Sequence, residues 1–550
     1  MVNVSLKISE KLKKKKLLFA AWNATNKNDN PYQNWYLPLK DTLGEVSLFD
    51  TAKNYFRHGE KGMQEKLLSL IEQQKPDYLF TIMIYDELDP MFYKEVKKRY
   101  PRMIIISLFS DDDWRYEDYS RYYGLFIDYP IVNITDSETD KGYKKDGVKY
   151  YSLSLGMNCK LFKPLSIKKR YDVSFVGRPN KSRIDYIRFL LEKDIAVKVW
   201  GDGWENYPEV AIAYQGQASA EDLVRITNES KINLSFTQGG YGKLQMKGRI
   251  FEAASCKAFT LIERFEIYRK YYQDKKEIVM FTTKEDLLRK IHYYLNHEEE
   301  RERIAYAAYR RTLKEYNKHQ ELLSYFKDII SKEKEILSRK LNLFQKKVAV
   351  ITKDDFYNEK NLRIKVKDME YVTFTDGGEH HPLQYFLQAY ALEKTGKKIS
   401  CCDAYFSASG LHHYLLFKSK QSSVQDHSIF QKCVQFPQLF IEKEYFIKHL
   451  EIFNKFGKFP EEIPTESIAF VSIPLVTLYK VPKISLEDFM KLFQMKFLDK
   501  LYSLWYHKKI FYHFFPYCLV FQAFKNKHLR TVLMANLRDK KKIGKVKKGI

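Results

Sequence analysis

Short apolar runs alternate along this chain with longer polar stretches in which apolar residues recur every three or four positions. The runs have the length of buried strands and the stretches have the spacing of amphipathic helices, so the alternation predicts βα units and parallel sheets. The runs lie at residues 17–21, 78–84 and 103–109 and, after residue 169, at 173–176, 197–200, 232–236 and 258–262. Two doubly wound α/β lobes in tandem are the simplest interpretation.

The 550-residue chain is too long for one compact core, so the lobes are assigned to separate domains. The first lobe is expected at residues 1–165 and the second at 166–344. Within the second, residues 284–340 contain no Gly or Pro and predict long helices. A new βα pattern follows, which predicts a third domain at 345–495 and leaves a tail at 496–550.

The formal net charge is +25, from 94 Lys and Arg against 69 Asp and Glu. Such an excess indicates an anionic partner: nucleic acid, an acidic membrane or a phosphorylated small substrate. Residues 497–550 alone carry 13 Lys and Arg against two Asp, or +11 of the total. Because the charge is concentrated in this tail and no nucleic-acid motif is recognised, nucleic acid is the weakest of the three.

The six cysteines have neither the density of a disulfide scaffold nor the paired spacing of metal ligands, which favours a reducing compartment. The basic run Lys13–Lys16 precedes only a short apolar stretch without a cleavage site, so no export signal is predicted. No apolar run reaches the ~20 residues that span a bilayer. We expect a cytoplasmic protein.

The strongest local signal is a strand that ends in a basic turn before a helix, at residues 173–183. Gly177 permits close backbone approach, the helix start offers free N–H groups, and Arg178, Lys181 and Arg183 supply positive charge. This pattern suits a diphosphate. An ordinary strand-to-helix turn with solvated basic residues remains the alternative.

A second turn follows the strand at 232–236. Its candidate ligand-binding residues are glycines after the strand, then basic residues and a carboxylate at the start of a helix: Gly239, Gly240, Gly242, Lys247, Arg249 and Glu252. The carboxylate can accept hydrogen bonds from a ribose diol, or can simply favour the helix dipole. Because parallel strands end at one edge of a sheet, the two turns are expected to converge on one anionic ligand.

These residues also carry a family resemblance. The chain has Phe-Val-Gly-Arg at 175–178, Gly-Asp-Gly-Trp at 201–204, Lys-Gly-Arg-Ile-Phe-Glu-Ala at 247–253 and Glu-Ile-Val at 277–279. Residues 173–315 resemble the C-terminal lobe of CgeB-like glycosyltransferases, which are related to the group-one retaining enzymes. Residues 15–165 resemble the less distinctive N-terminal lobe of the same family.

The resemblance implies a GT-B fold, in which two Rossmann-like lobes face a cleft, and a sugar-nucleotide (NDP-sugar) donor held by the second lobe. It implies that Arg178, with Lys181 or Arg183, takes the diphosphate and that Glu252 takes the ribose. No metal or other cofactor is required, since basic side chains and helix dipoles neutralise the leaving diphosphate. Two positions depart from the group-one pattern: Leu244 replaces a glutamate and Lys257 replaces a glycine.

Three consecutive carboxylates, Asp111, Asp112 and Asp113, follow the third apolar run of the first lobe. They lie where a cleft residue is expected, and neighbouring carboxylates can raise one another's pKa and act as the base for an acceptor hydroxyl. A cap for the following helix is the alternative.

The third domain resembles a degenerate GT-A glycosyltransferase of the family-two type. Only Asp376 remains where that family has a metal-binding Asp-x-Asp, with Glu379 nearby, and the expected Glu-Asp pair appears as Glu466-Ser467. An inactive, scaffolding or acceptor-binding role is favoured over a second active site. No metal site is predicted at the paired histidines 380–381 and 412–413.

The tail interleaves aromatic residues with lysines. Such a segment can lie on an anionic membrane surface, which suits a lipid-linked acceptor, or can be a helix packed on the third domain. The sequence thus predicts a hexosyltransferase-like, retaining enzyme of bacterial cell-surface glycan synthesis, located in the cytoplasm or on the inner face of the membrane. Its acceptor would be a glycan, a lipid-linked glycan or a protein. The alternative is a non-catalytic carbohydrate-binding or assembly protein built from decayed modules.

Overall fold

The computed structural model describes residues 10–478 except for 84–86, 111, 134–136, 155, 239–243, 245, 340–345, 376–378, 408–413, 418–437 and 454–462. The chain divides into two compact units, Met1–Leu341 and Asn342–Ile550. The predicted tail, 496–550, lies outside the described residues. Among the residues that are described, no helix is both long enough and apolar enough to span a bilayer.

The first lobe is a six-stranded parallel sheet in the order β2-β1-β3-β4-β5-β6. Its strands are β1 Lys16–Ala21, β2 Glu45–Asp50, β3 Tyr78–Ile82, β4 Ile104–Phe109, β5 Ile131–Val132 and β6 Tyr151–Ser152. Its α-helices are Leu37–Thr42, Thr51–Gln74, Pro90–Arg99, Asp112–Arg115, Arg121–Tyr123 and Ser137–Asp146. The central strands β1, β3 and β4 are mostly apolar and largely buried, as is typical of a parallel sheet with helices on both faces.

The second lobe is a five-stranded parallel sheet in the order β11-β10-β9-β7-β8. Its strands are β7 Tyr171–Val176, β8 Val197–Trp200, β9 Ser230–Ser235, β10 Thr260–Glu263 and β11 Val279–Phe281. Its α-helices are Lys181–Glu192, Ala220–Glu229, Arg249–Ser255, Lys284–Asn296 and Glu298–Glu315. The two predicted Rossmann-like lobes are confirmed.

The last helix of the first unit, Lys318–Ser338, packs on the first lobe. Leu322, Phe326 and Ile329 are fully buried in the core that contains Leu17 and Phe19. Their spacing of four and three residues puts them on one helix face, as an amphipathic helix requires. The chain therefore returns from the second lobe to close the first.

The second unit contains a mixed sheet in the order β12-β13-β17-β15-β18-β14, with β16 paired to β15. Its strands are β12 Val348–Ile351, β13 Tyr371–Phe374, β14 Glu379–His380, β15 Ile399–Ser407, β16 Tyr414–Phe417, β17 Leu439–Glu442 and β18 Ile468–Leu478. Its described α-helices are Lys353–Tyr357, Glu359–Val366, Gln384–Thr395 and Lys443–Lys448. A further α/β sheet domain is therefore present, as the sequence predicts.

Candidate functional site

The turn after β7 leads directly into a helix. Asn180 caps the helix Lys181–Glu192, because its Oδ1 accepts a hydrogen bond from the Arg183 backbone N at 2.9 Å. The twelve-residue helix therefore begins immediately beyond the basic turn, and its dipole adds partial positive charge there. This arrangement is a general solution for holding an anionic group.

The segment 201–204 packs against Gly177. The Trp204 side chain is fully buried, and its Nε1 donates to the Gly177 carbonyl oxygen at 2.7 Å. The Gly177 backbone N donates to the Trp200 carbonyl oxygen at 2.8 Å. Gly201 has a φ of +138°, and a Cβ there would lie 2.4 Å from the Gly177 oxygen, so only glycine fits. The Gly-Asp-Gly-Trp motif thus fixes the first turn.

The second turn meets the first at the carbonyl oxygen of Gln238. Asn180 Nδ2 donates to this oxygen at 3.2 Å, and Arg183 Nη2 donates to it at 3.4 Å. The two turns predicted to converge are therefore in contact, although their strands are separated by about 60 residues of sequence. Gly239, Gly240 and Gly242, which complete the second turn, lie outside the described residues.

Arg183 is the most constrained cation of this edge. Its Nη1 donates to the Arg178 carbonyl oxygen at 2.7 Å, and its guanidinium lies 5.4 Å from the centre of the Phe175 ring. Burial lowers its pKa, an effect that the charge of Glu263 opposes and that of Arg249 reinforces. The Nε of Arg183 is buried and has no hydrogen-bond partner among the described residues.

Arg249 joins the second helix start to the first turn. Its Nη2 donates to the carbonyl oxygen of Val176, the last residue of β7, at 3.0 Å. Its Nη1 lies 2.6 Å from Glu252 Oε2, and both side chains are largely buried, with 21% and 14% of their surfaces exposed. Glu252 is therefore held close to the carboxyl end of β7.

Two further cations predicted for the site, Arg178 and Lys181, are exposed. The Arg178 side chain is 75% exposed, with its Nε 3.9 Å from Asp202 Oδ2, and Lys181 is also exposed. The backbone N of Lys247 donates to the Tyr268 hydroxyl at 3.0 Å. Arg178 and Lys181 thus have freedom to adapt to a ligand, whereas Arg183 and Arg249 are fixed by backbone carbonyls.

Sequence reasoning missed Glu263, the last residue of β10. Its Oε2 accepts hydrogen bonds from the Thr237 backbone N at 2.8 Å, the Thr237 hydroxyl at 2.9 Å and the Gln238 backbone N at 3.3 Å. A carboxylate directly after an apolar run, at the same sheet edge as the two turns, was the available signal.

Asp112 is buried in the first lobe and bonded through both oxygens. Oδ1 accepts from the Ser120 hydroxyl at 2.5 Å and Oδ2 accepts from the Tyr143 hydroxyl at 2.6 Å. Burial, and next the charge of Asp112, raises the pKa of Tyr143. Asp111 and the Asp113 side chain lie outside the described residues. Asp112 thus links its own helix to the segments that contain Ser120 and Tyr143 in the first lobe.

The candidate residues of the third domain lie mostly outside the described residues. Asp376 and the Glu379 side chain are not among the described residues, and Glu466 lies on an exposed helical turn. Within the described part of the chain, no three His, Cys, Asp or Glu side chains are grouped so as to hold a metal ion.

Residues 183–324 match a protein-family model described as Glycosyl transferase-like. The chain is 24% identical over 186 residues to the Spore protein CgeB of Bacillus subtilis (strain 168), an overlap of 30% of this chain and 56% of that protein. The chain thus spans about half the length of this curated relative.

Similar solved structures have TM-scores below 0.5. Sucrose-phosphate synthase from Thermosynechococcus elongatus has a TM-score of 0.43 at 11% identity and covers 58% of this chain and 100% of that chain. Anabaena HepE in complex with UDP and glucose has a TM-score of 0.41 at 11% identity, with 58% and 99% covered. From the family match and the CgeB overlap, the chain is similar to CgeB-like glycosyltransferases, and the matched domain contains Arg183, Arg249 and Glu252.

Proposed function

We propose that this protein is a glycosyltransferase that moves a sugar from a sugar nucleotide to a hydroxyl acceptor. The observation that carries the proposal is the meeting of the two turns at Gln238, with Arg183 and Arg249 fixed on either side of the β7 carboxyl end. The Glycosyl transferase-like match over residues 183–324 covers both arginines.

In this proposal the diphosphate binds at the first turn. Arg183 offers a partly desolvated guanidinium, and charge-assisted hydrogen bonds are strongest where water is excluded. Arg178 and Lys181 close over the phosphates from their exposed positions, and the helix start at Lys181 adds its dipole. These groups stabilise the negative charge that develops on the leaving diphosphate, which is the main electrostatic requirement of the reaction.

Glu252 is proposed to take the ribose. Its ion pair with Arg249 orients the carboxylate, and the oxygens retain lone pairs for a diol. Arg249 in turn is bound to Val176, so the ribose and diphosphate contacts stay at one strand end. A metal is not required by this arrangement.

The finer assignments are also proposals. The acceptor is a glycan, a lipid-linked glycan or a protein in cell-surface glycan synthesis, and transfer retains the anomeric configuration, as in the group-one enzymes. The matched relative is a spore protein, which fits a cell-surface product. The basic tail holds the enzyme at the inner face of the membrane, where a lipid-linked acceptor lies.

The test is binding and turnover with UDP-, GDP-, TDP- and CMP-sugars. Native protein should be stabilised by one nucleotide class in a thermal-shift assay, since a ligand that binds only the folded state raises the melting temperature. Arg183→Ala and Glu252→Ala should lose this shift and the slow donor hydrolysis. Arg188→Ala is the matched control, because Arg188 lies on the same helix and pairs with Asp185 and Glu192 at the surface.

Absence of nucleotide binding across the panel by calorimetry would remove the proposal. The second candidate, a non-catalytic carbohydrate-binding protein, is favoured by one observation. Leu244 stands where group-one enzymes have a glutamate, and its side chain is 44% exposed. Glycan binding without turnover of any donor would support this second candidate.

A further inference from the structure

We propose that Glu263 is a positioning residue that sets the second turn for nucleotide binding through its hydrogen bonds and not through its charge. This inference rests on the proposed function of the same site. Glu263 holds the backbone whose Gln238 carbonyl accepts a hydrogen bond from Arg183.

The contacts of Glu263 converge on one oxygen. Oε2 accepts from two successive backbone N–H groups, of Thr237 and Gln238, and from the Thr237 hydroxyl, which belongs to a fully buried residue. Three donors on one acceptor fix both the position and the orientation of the peptide between these residues. The Glu263 side chain therefore fixes the backbone that leads directly into the Gln238 carbonyl group.

That carbonyl is the contact between the two turns. It accepts from Asn180, which caps the first helix, and from Arg183, whose other nitrogen binds the Arg178 carbonyl. A shift of the Gln238 oxygen would thus release the Asn180 and Arg183 side chains together. A displacement of about 1 Å in a binding group is enough to cost a large part of its effect.

The hydrogen bonds can be separated from the charge by substitution. In Glu263→Gln the side chain keeps its length and one carbonyl oxygen, which can accept the same three donors, while the negative charge is lost. In Glu263→Ala the acceptor is lost as well. If Glu263 acts through hydrogen bonds, Glu263→Gln should keep the amide protection and nucleotide binding that Glu263→Ala loses. If it acts through charge, the two variants should behave alike.

The experiment has two readouts on the full chain. Hydrogen exchange measured at the Thr237 and Gln238 amides should be at least ~10-fold faster in Glu263→Ala than in wild type, since both amides lose their acceptor, and close to wild type in Glu263→Gln. Calorimetry with UDP, GDP and TDP should show about 10-fold weaker binding or more for Ala and a change of less than about 3-fold for Gln.

Two further variants keep the test decisive. Thr237→Val removes one of the three donors at nearly constant volume and should give a smaller effect of the same kind, which covers the case that Glu263→Ala does not fold. Glu266→Ala is the matched control, because Glu266 lies three residues along and pairs with Arg264 and Arg269 at the exposed surface.

The outcomes distinguish this inference from the proposed function. Equal exchange in the Gln and Ala variants, or unchanged exchange in Ala, overturns the positioning role whatever the nucleotide result. If the variants show the expected order of exchange rates but the wild-type protein binds no nucleotide, the donor site is overturned. Glu263 then remains the residue that holds the turn.

Discussion

The indole Nε1 of Trp204 donates a 2.7 Å hydrogen bond to the carbonyl oxygen of Gly177, across 27 residues of sequence. Trp204 is fully buried, and its ring packs edge-on to Phe175, 6.1 Å between centroids. The peptide that begins the basic turn is thus anchored in the core of the second lobe. The shape of the proposed diphosphate site therefore depends on the packing beneath it.

Trp204→Phe should weaken both the fold and the site. Phenylalanine fills most of the volume but leaves the Gly177 oxygen without its donor, which costs about 1–3 kcal/mol in the free energy of unfolding. Nucleotide affinity should fall as well, because the turn is released. Chemical denaturation and calorimetry measure the two effects, and Trp22→Phe in the first lobe should leave nucleotide affinity unchanged. Full affinity in Trp204→Phe would contradict the anchoring role.

Gly201→Ala should be more harmful than Gly216→Ala. Both glycines have a positive φ, +138° and +98°, which an alanine adopts only with strain. At Gly201 the new Cβ would also lie 2.4 Å from the Gly177 oxygen, whereas at Gly216 no atom lies within 4 Å. The difference between the two melting temperatures isolates the steric contact. Equal melting temperatures would show that the backbone at Gly177 moves away from the new Cβ without a loss of stability.

Lys257→Gly should stabilise the protein by about 0.5–1 kcal/mol. Lys257 has a φ of +54°, in the left-handed region that a glycine would adopt freely. Removal of the strain, about 1–2 kcal/mol, outweighs the extra backbone entropy of glycine. Lys257→Ala keeps the strained backbone and should bring no gain in thermal denaturation. A stabilised alanine variant would point to the lysine charge instead of the backbone.

Asp112→Ala should lower the free energy of unfolding by about 1–3 kcal/mol, because the buried Tyr143 hydroxyl loses its acceptor. Nucleotide affinity should stay close to wild type, since Asp112 lies in the first lobe. A variant with wild-type stability that has lost sugar transfer would instead support Asp112 as the catalytic base. Denaturation and turnover measured on one preparation decide between the two roles.

The acid stability of the second lobe should depend on Asp286. Burial alone would raise its pKa, but hydrogen bonds from Lys290, the Thr282 backbone N and Arg289 lower the pKa from 3.8 to about 2. A depressed folded-state pKa contributes stability that is present above about pH 4 and is lost as the pH falls toward 2. Asp286→Asn should therefore flatten the fall in unfolding free energy between these values. An unchanged slope would contradict the assignment.

Local sequence patterns gave correct predictions for the two parallel sheets of the first unit. The runs at 173–176 and 232–236 became β7 and β9 because strand formation follows the hydrophobic pattern of a few adjacent residues. Lys257, which departs from the group-one pattern, has a positive φ, a conformation that glycine adopts more readily than lysine.

The sequence by itself determined that two parallel α/β lobes form and that the two basic turns of the second lobe follow strands of one parallel sheet, because chain direction and periodicity are local properties. The tertiary structure decided which groups hold those turns. Glu263 binds residues 26 positions away, and Tyr325 reaches the Tyr129 carbonyl across 196 positions to bring the last helix onto the first lobe. Such contacts depend on how separate elements pack together, and no short stretch of sequence encodes that packing.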